Sequence, residues 1–127
     1  MFGYLPPLLQ SRGVRTVCLV LSVLLIANLF ILGSQPFAAG LIPAPWDKLA
    51  HLALFGLLAV LLMVASGFSR PWTVVVMLTL VAAADELHQR VLPGRHADPY
   101  DFGTDVAACV AATFVCSVWS RHGRRGR

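Results

Sequence analysis

The sequence predicts an all-α membrane protein, a polytopic bundle of four transmembrane helices. Its 127 residues are 57% hydrophobic and only 13% charged, with a mean hydropathy of +0.74, whereas soluble domains carry about 25% charged residues. Four apolar segments stand between charged or Pro/Gly-containing boundaries, each near the roughly 20 residues that a spanning helix needs. Helices are expected because lipid offers backbone groups no water partner, and the segments lack the alternation of barrel strands. The length suits a single membrane domain and leaves no room for a separate soluble catalytic domain.

The first helix is expected over about 16–34, where "TVCLVLSVLLIANLFILG" follows Arg12 and Arg15 and carries no charge. A secretory signal is the rival reading, since a basic start and a small-residue stretch near "PFAAG" are present. The apolar run is longer than the roughly 7–15 residues usual in such signals, so a retained span is expected. The second helix, about 47–69, opens at "WDKLAH". The third, about 71–90, opens at Pro71, which suits a helix first turn, and must reach Arg90 to span. The fourth covers about 101–120. Trp46, Trp72 and Trp119 fall at segment ends, where aromatic rings favour the membrane interface. "GSQPFAAGLIPAPW" reads as a connector, with a partial lid as its other possible use. Cys18, Cys109 and Cys116 read as small apolar side chains within helices rather than as a disulfide framework.

Basic residues set the orientation. With four spans, Arg12, Arg15, Arg70, Arg121, Arg124, Arg125 and Arg127 share one side, predicted to be cytoplasmic together with both termini. The opposite side receives Lys48, Arg90, Arg95 and all six acids: Asp47, Asp85, Glu86, Asp98, Asp101 and Asp105. The protein is therefore expected in the cytoplasmic (inner) membrane, with the lipid bilayer as its partner. The tail "RHGRRGR" reads as a topology anchor meeting anionic headgroups, not as a nucleic-acid surface, which would need a folded basic face. The oligomeric state is left open.

These polar residues form a layer. At 1.5 Å per residue, His51 and Asp105 lie about 6 Å inside the starts of their helices, and Asp85 and Glu86 roughly 6–8 Å from the end of theirs. Asp47 with His51 and Asp101 with Asp105 are spaced i,i+4, and Glu86 with Gln89 i,i+3, so each pair projects from one helix face. A charge inside a span costs several kcal/mol unless it meets partners or water, so these faces are predicted to converge on a polar pocket open to the extracytoplasmic interface. Asp47 and Asp101 sit in first turns, which stabilise carboxylates. Asp85 and Glu86 sit near a helix C-terminus, where the dipole opposes them; they call for Lys48, Arg90 or Arg95, for a proton, or for a metal. Pro93-Gly94 signals a turn that folds Arg95 back over the helix ends.

"DKLAHLALFGLLA" followed by "DELHQRVLPGRHADPYDFGTD" resembles the VanZ-like family of bacterial membrane proteins over about residues 46–112. Asp47, Lys48, His51, Phe55, Glu86, Gln89, Gly94, Arg95 and Asp101 fall on the family's pattern in order. Asp105 stands where many members carry Asn, and Ala108 where Gly often follows. The resemblance implies a cell-envelope protein related to glycopeptide (teicoplanin) resistance-type proteins, and implies no particular reaction.

The functional expectation is a pocket that binds an anionic lipid headgroup or cell-wall precursor. Its ligand-binding candidates are Arg95, Lys48, Asp47, Gln89, Asp101 and Asp85, and Glu86, His51 and Asp105 are candidate catalytic acid/base groups. Whether chemistry occurs stays open, and no nucleophile motif surrounds Thr104 or Ser117. The alternative structural reading makes the polar residues anchors and salt bridges that fix helix packing. Asp47, His51, Glu86, His88, Asp101 and Asp105 are suitable metal-ligand types, but their spacing matches no zinc or calcium motif, so no metal or other cofactor is expected. Transport would need a polar path across the bilayer, which Asn28, Ser66, Thr73 and Ser117 alone do not supply.

Overall fold

The computed structural model describes residues 6–125. A single turn, α1 (Pro7–Gln10), leads into four long helices: α2 (Arg12–Gly33), α3 (Trp46–Ala65), α4 (Pro71–Val91) and α5 (Pro99–Arg125). Arg127 and residues 1–5, on which part of the orientation argument falls, lie outside the described residues. A 3₁₀ turn, Pro36–Ala38, interrupts the connection between α2 and α3.

Local chemistry explains the helix ends. α2 opens at Arg12, ahead of Thr16, because Ser11 accepts a hydrogen bond from the Val14 amide at 3.3 Å and so satisfies one of the free amides of the first turn. α3 stops at Ala65, short of residue 69, in a Schellman turn: the Phe68 amide donates to the Met63 carbonyl and the Gly67 amide to that of Val64. The turn requires a left-handed backbone, with Gly67 at φ +65° and Phe68 at +57°. The remaining Ala65 carbonyl accepts from Arg15 Nε at 3.0 Å, which places a cation at the negative end of α3. α4 begins with Pro71 in its first turn. α5 begins at Pro99, ahead of residue 101, because the Asp98 carboxylate accepts from the Tyr100 amide at 2.9 Å.

The four long helices alternate in direction. Arg15 meets the end of α3; Phe30 near the end of α2 packs on His88 near the end of α4; Lys48 at the start of α3 meets Asp101 at the start of α5. At the opposite end Phe68 and Trp119 pack edge to face, 5.9 Å between centroids. α3 and α5 form the most extensive helix pair, with α4 mainly against α5 and α2 mainly against α3. The core is built on Phe55, Leu58, Ala59 and Met63 of α3, Leu78 and Ala82 of α4, and Ala108 and Cys109 of α5. Small residues on α4 and α5 let backbones approach closely, the usual way helices associate in lipid. All three cysteines are free thiols.

The outer surface is apolar. On α2 only Ser22 is buried, and its hydroxyl donates to the Cys18 carbonyl at 2.8 Å, while Val17, Leu19, Val20, Val23, Leu24 and Ile31 are exposed. Such a continuous greasy face suits lipid and would aggregate in water. Trp46 and Trp72 are exposed at opposite ends of the bundle, as interfacial aromatics are. Three helices are long and apolar enough to cross a membrane: α2, α3 and α5. The sequence pattern predicts a fourth in α4; its length matches, but Asp85, Glu86, His88, Gln89 and Arg90 crowd its last turns and dilute its hydropathy.

Candidate functional site

The ionisable residues gather where α3 and α5 begin and α2 and α4 end. α4 shows how the sequence puts them there. Its buried stripe runs Val74, Leu78, Ala82 and then, on the same face, Asp85, Glu86 and Gln89. The residues that would pack as core two turns earlier are here carboxylates and an amide. α5 continues the pattern from its own start, where Asp101 and Asp105 precede Ala108 and Cys109 on the buried face.

Lys48 is the hub of one half of the site. Its ammonium donates to Asp98 Oδ2 and Asp101 Oδ1, both at 2.8 Å, and lies 3.6 Å from Asp47 Oδ2. One cation thus ties the start of α3 to the start of α5 while facing three carboxylates. The Lys48 ammonium, with help from the Tyr100 amide, holds the Asp98 carboxyl below its ordinary range. A depressed value in the folded state means that this contribution to stability is complete above about pH 4, the ordinary aspartate value, and is lost as pH falls through the lower folded-state value. Melting temperatures in detergent for the native protein and Asp98→Asn should therefore differ by a constant amount from neutral pH down to about pH 5. That difference should shrink as pH falls below about 4, and a gap that grew instead would contradict the assignment.

His51 and Asp105 form the other half. Nδ1 of His51 lies 2.9 Å from Oδ1 of Asp105, whose side chain is 1% exposed. With an ionised Asp105 the bond requires the proton on Nδ1, which leaves Nε2 as the basic nitrogen of a neutral ring. The ring lies flat above Phe55, 4° between planes and 6.4 Å between centroids, so packing fixes its tilt. Among the described residues the second oxygen of Asp105 has no partner.

Asp85 and Glu86 find no cation. Asp85 Oδ2 accepts from Gln89 Nε2 at 2.8 Å, within one helix turn, and Glu86 Oε1 is buried with no partner. Among the described residues neither carboxylate forms an ion pair, so the basic partners called for by their position on α4 are absent. Arg95 explains part of this. The turn at Gly94 (φ +74°) does swing the chain back, but Arg95 Nη1 donates to the Ala38 carbonyl at 2.9 Å and latches the α2–α3 connection to the α4–α5 loop. Lys48 likewise serves the first-turn acids, and Arg90 is exposed.

Between these groups lies a cavity of about 630 Å³. Leu25, Leu29 and Leu32 of α2, with Phe37, Leu41 and Ile42 of the connection, make an apolar wall. Asp47, His51, Gln89, Arg95, His96 and Asp101 supply the polar side. The connection is thus a wall of the cavity and more than a plain connector. Lys48, Asp85, Glu86 and Asp105 are not among its lining residues. No group of three or more His, Cys, Asp or Glu residues is placed to hold a metal ion among the described residues; His88, for one, packs on Phe30.

Sequence reasoning overlooked Asp98 as a site residue and α2 as a wall. The signal for Asp98 was present in Asp98-Pro99, a cap followed by a first-turn proline. The wall left no signal beyond hydrophobicity.

Long apolar helices around a polar end, with a cavity between, define a helical membrane protein whose acidic groups gather in one region. The chain belongs to the VanZ/LLP1 family, whose model matches residues 9–120. No curated protein and no solved structure matches it.

Proposed function

We propose that the protein crosses the cytoplasmic membrane four times, with α4 as the additional span and both ends cytoplasmic. Its cavity then opens at the extracytoplasmic side and binds the anionic group of an envelope lipid headgroup or a lipid-linked cell-wall precursor. This is a cell-envelope role of the glycopeptide-resistance type. The alternation of helix directions supports four crossings, since α4 runs the length of its neighbours. The orientation rests on Arg12, Arg15, Arg70 and Arg121 at the other end.

The observation that carries the proposal is the cavity, in the size range of small-molecule sites, with a greasy wall for a chain and Arg95 among its polar groups. Arg95 spends one of its five donors on Ala38 and keeps a fork suited to phosphate or carboxylate. Arg95→Ala should cut the anionic lipid that co-purifies with the protein by about tenfold or more, as loss of a charge-assisted contact does. The yield of folded protein should hold, with the melting temperature lowered only by the loss of the one bond to Ala38, about 1.5–3 kcal/mol. Mass spectrometry of the purified protein reads the result, and an unchanged lipid complement would reject the proposal. A reporter placed after Arg95 should be found outside the cytoplasm.

A second reading rests on the His51–Asp105 pair. An imidazole held by a buried carboxylate and lining the cavity is arranged as a general base, with Nε2 free to take a proton from a bound headgroup or a water. If such chemistry occurs, Asp105→Asn should retain the lipid and lose turnover, and full turnover in that variant would exclude the pair.

A further inference from the structure

We propose that the cavity recognises a zwitterionic headgroup: an amphiphile carrying a primary ammonium as well as a phosphate, the ammonium held by Asp47, Asp101 and the side-chain oxygen of Gln89. The inference rests on the reading above, in which Arg95 holds the anionic group, and adds the second half of the ligand.

Three observations lead to it. First, the charge around Lys48 is unbalanced. A single ammonium faces Asp47, Asp98 and Asp101, and it forms hydrogen bonds with only the last two. Asp47 sits 3.6 Å away, its Oδ1 has no partner, and it lines the cavity. The helix first turn eases the charge of Asp47, but its Oδ1 remains open to a second donor. Asp101, the other acid on the cavity's lining, shares the same lysine.

Second, Gln89 is turned to accept. It is 95% removed from solvent, being 5% exposed, yet it lines the cavity. Its Nε2 donates to Asp85 Oδ2, and with Asp85 ionised that oxygen can only accept. In that state the amide orientation is fixed, and among the described residues no donor reaches Oε1. Asp85, buried and not among the lining residues, acts as a positioning residue that dedicates Gln89 to a donor in the cavity.

Third, donors and acceptors are both present on one lining. Arg95 and His96 lie on the α4–α5 loop, while Asp47, Asp101 and Gln89 come from helix ends. A purely anionic headgroup would satisfy the loop and add negative charge beside two carboxylates. An ammonium joined to a phosphate satisfies both, and its chain can lie on the α2 wall.

The test uses the full chain, delipidated and returned to nanodiscs or detergent micelles, with native mass spectrometry as the readout. The probes are phosphatidylethanolamine, phosphatidylglycerol and phosphatidylcholine of the same acyl composition. Phosphatidylethanolamine should be retained about tenfold more than the other two, the effect of one charged contact. Phosphatidylcholine shares the phosphate and the charge but its methylated nitrogen has no N–H to donate. That comparison uses the native protein and needs no variant to fold. Asp47→Asn, an accepted residue type in a helix first turn, should remove the preference, bringing phosphatidylethanolamine retention down to that of phosphatidylcholine. Equal retention of all three lipids, each lost in Arg95→Ala, overturns the zwitterion inference and leaves the anionic reading standing. Retention that Arg95→Ala does not alter overturns both.

Discussion

His51→Ala is expected to destabilise the protein by about 3–5 kcal/mol, because it strands the carboxylate of Asp105 inside the bundle. The side chain of Asp105 is 1% exposed, and among the described residues its Oδ1 bonds only to His51 and its Oδ2 has no partner. Removing the ring takes away the one hydrogen bond that the Asp105 carboxylate makes among the described residues. The asymmetry of such pairs gives a sharper test: His51→Leu combined with Asp105→Leu removes both polar groups and should recover most of the loss. Unfolding in mixed micelles with increasing SDS measures both variants. A single His51→Ala costing less than about 1 kcal/mol would show that Asp105 is carried neutral or finds another donor.

Phe55→Ala should cost about 2–3 kcal/mol, below the 3–5 kcal/mol typical of a buried phenylalanine in water-soluble cores. The reduction has a physical source. In lipid the unfolded helix already sits in hydrocarbon, so the transfer part of the loss falls away and the lost packing contacts remain. Phe55 is fully buried in the centre of α3, so those contacts are many. It also supports the His51 ring, 6.4 Å away and nearly parallel. Phe55→Ala should therefore weaken any activity that depends on His51 beyond its effect on the folded fraction, whereas Phe55→Leu, closer in volume, should largely preserve both. Equal activity per folded molecule in the alanine variant would separate the ring's packing from its function.

The parts of this architecture that depend on one helix at a time were legible in the sequence. Thr16–Gly33 reads as a span from its lack of charge, and Pro71 as a helix start, and α2 and α4 contain them. The i,i+4 spacing of Asp47 with His51 and of Asp101 with Asp105 puts each pair on one face, and those two faces meet through Lys48–Asp101 and His51–Asp105. What depends on loops was less legible. Arg95 could have reached any of several acceptors, and the choice of Ala38 is set by the path of the 34–45 connection rather than by any local pattern. The same holds for the end of α3, where Gly67 and the Arg15 side chain together decide where the helix stops. Asp85 and Glu86 looked most in need of a cation, yet Asp85 is served by an amide one turn along, a contact whose i,i+4 spacing is visible but whose preference over an arginine is not.

The change of character along the buried face of α4 bears on how the protein is made. Its first four turns are apolar and its last turns hold Asp85 and Glu86, and acids cost up to about 3 kcal/mol each when a helix must partition alone, less toward its ends. α4 is thus a poor substrate for insertion by itself. In the four-span topology proposed above, it would enter the bilayer as one arm of a hairpin with α5, whose start, at Asp98 and Asp101, is gathered by Lys48 of the preceding α3. On that topology the polar end would set an order of biogenesis, in which α4 leaves the translocon only when α5 is there to receive it.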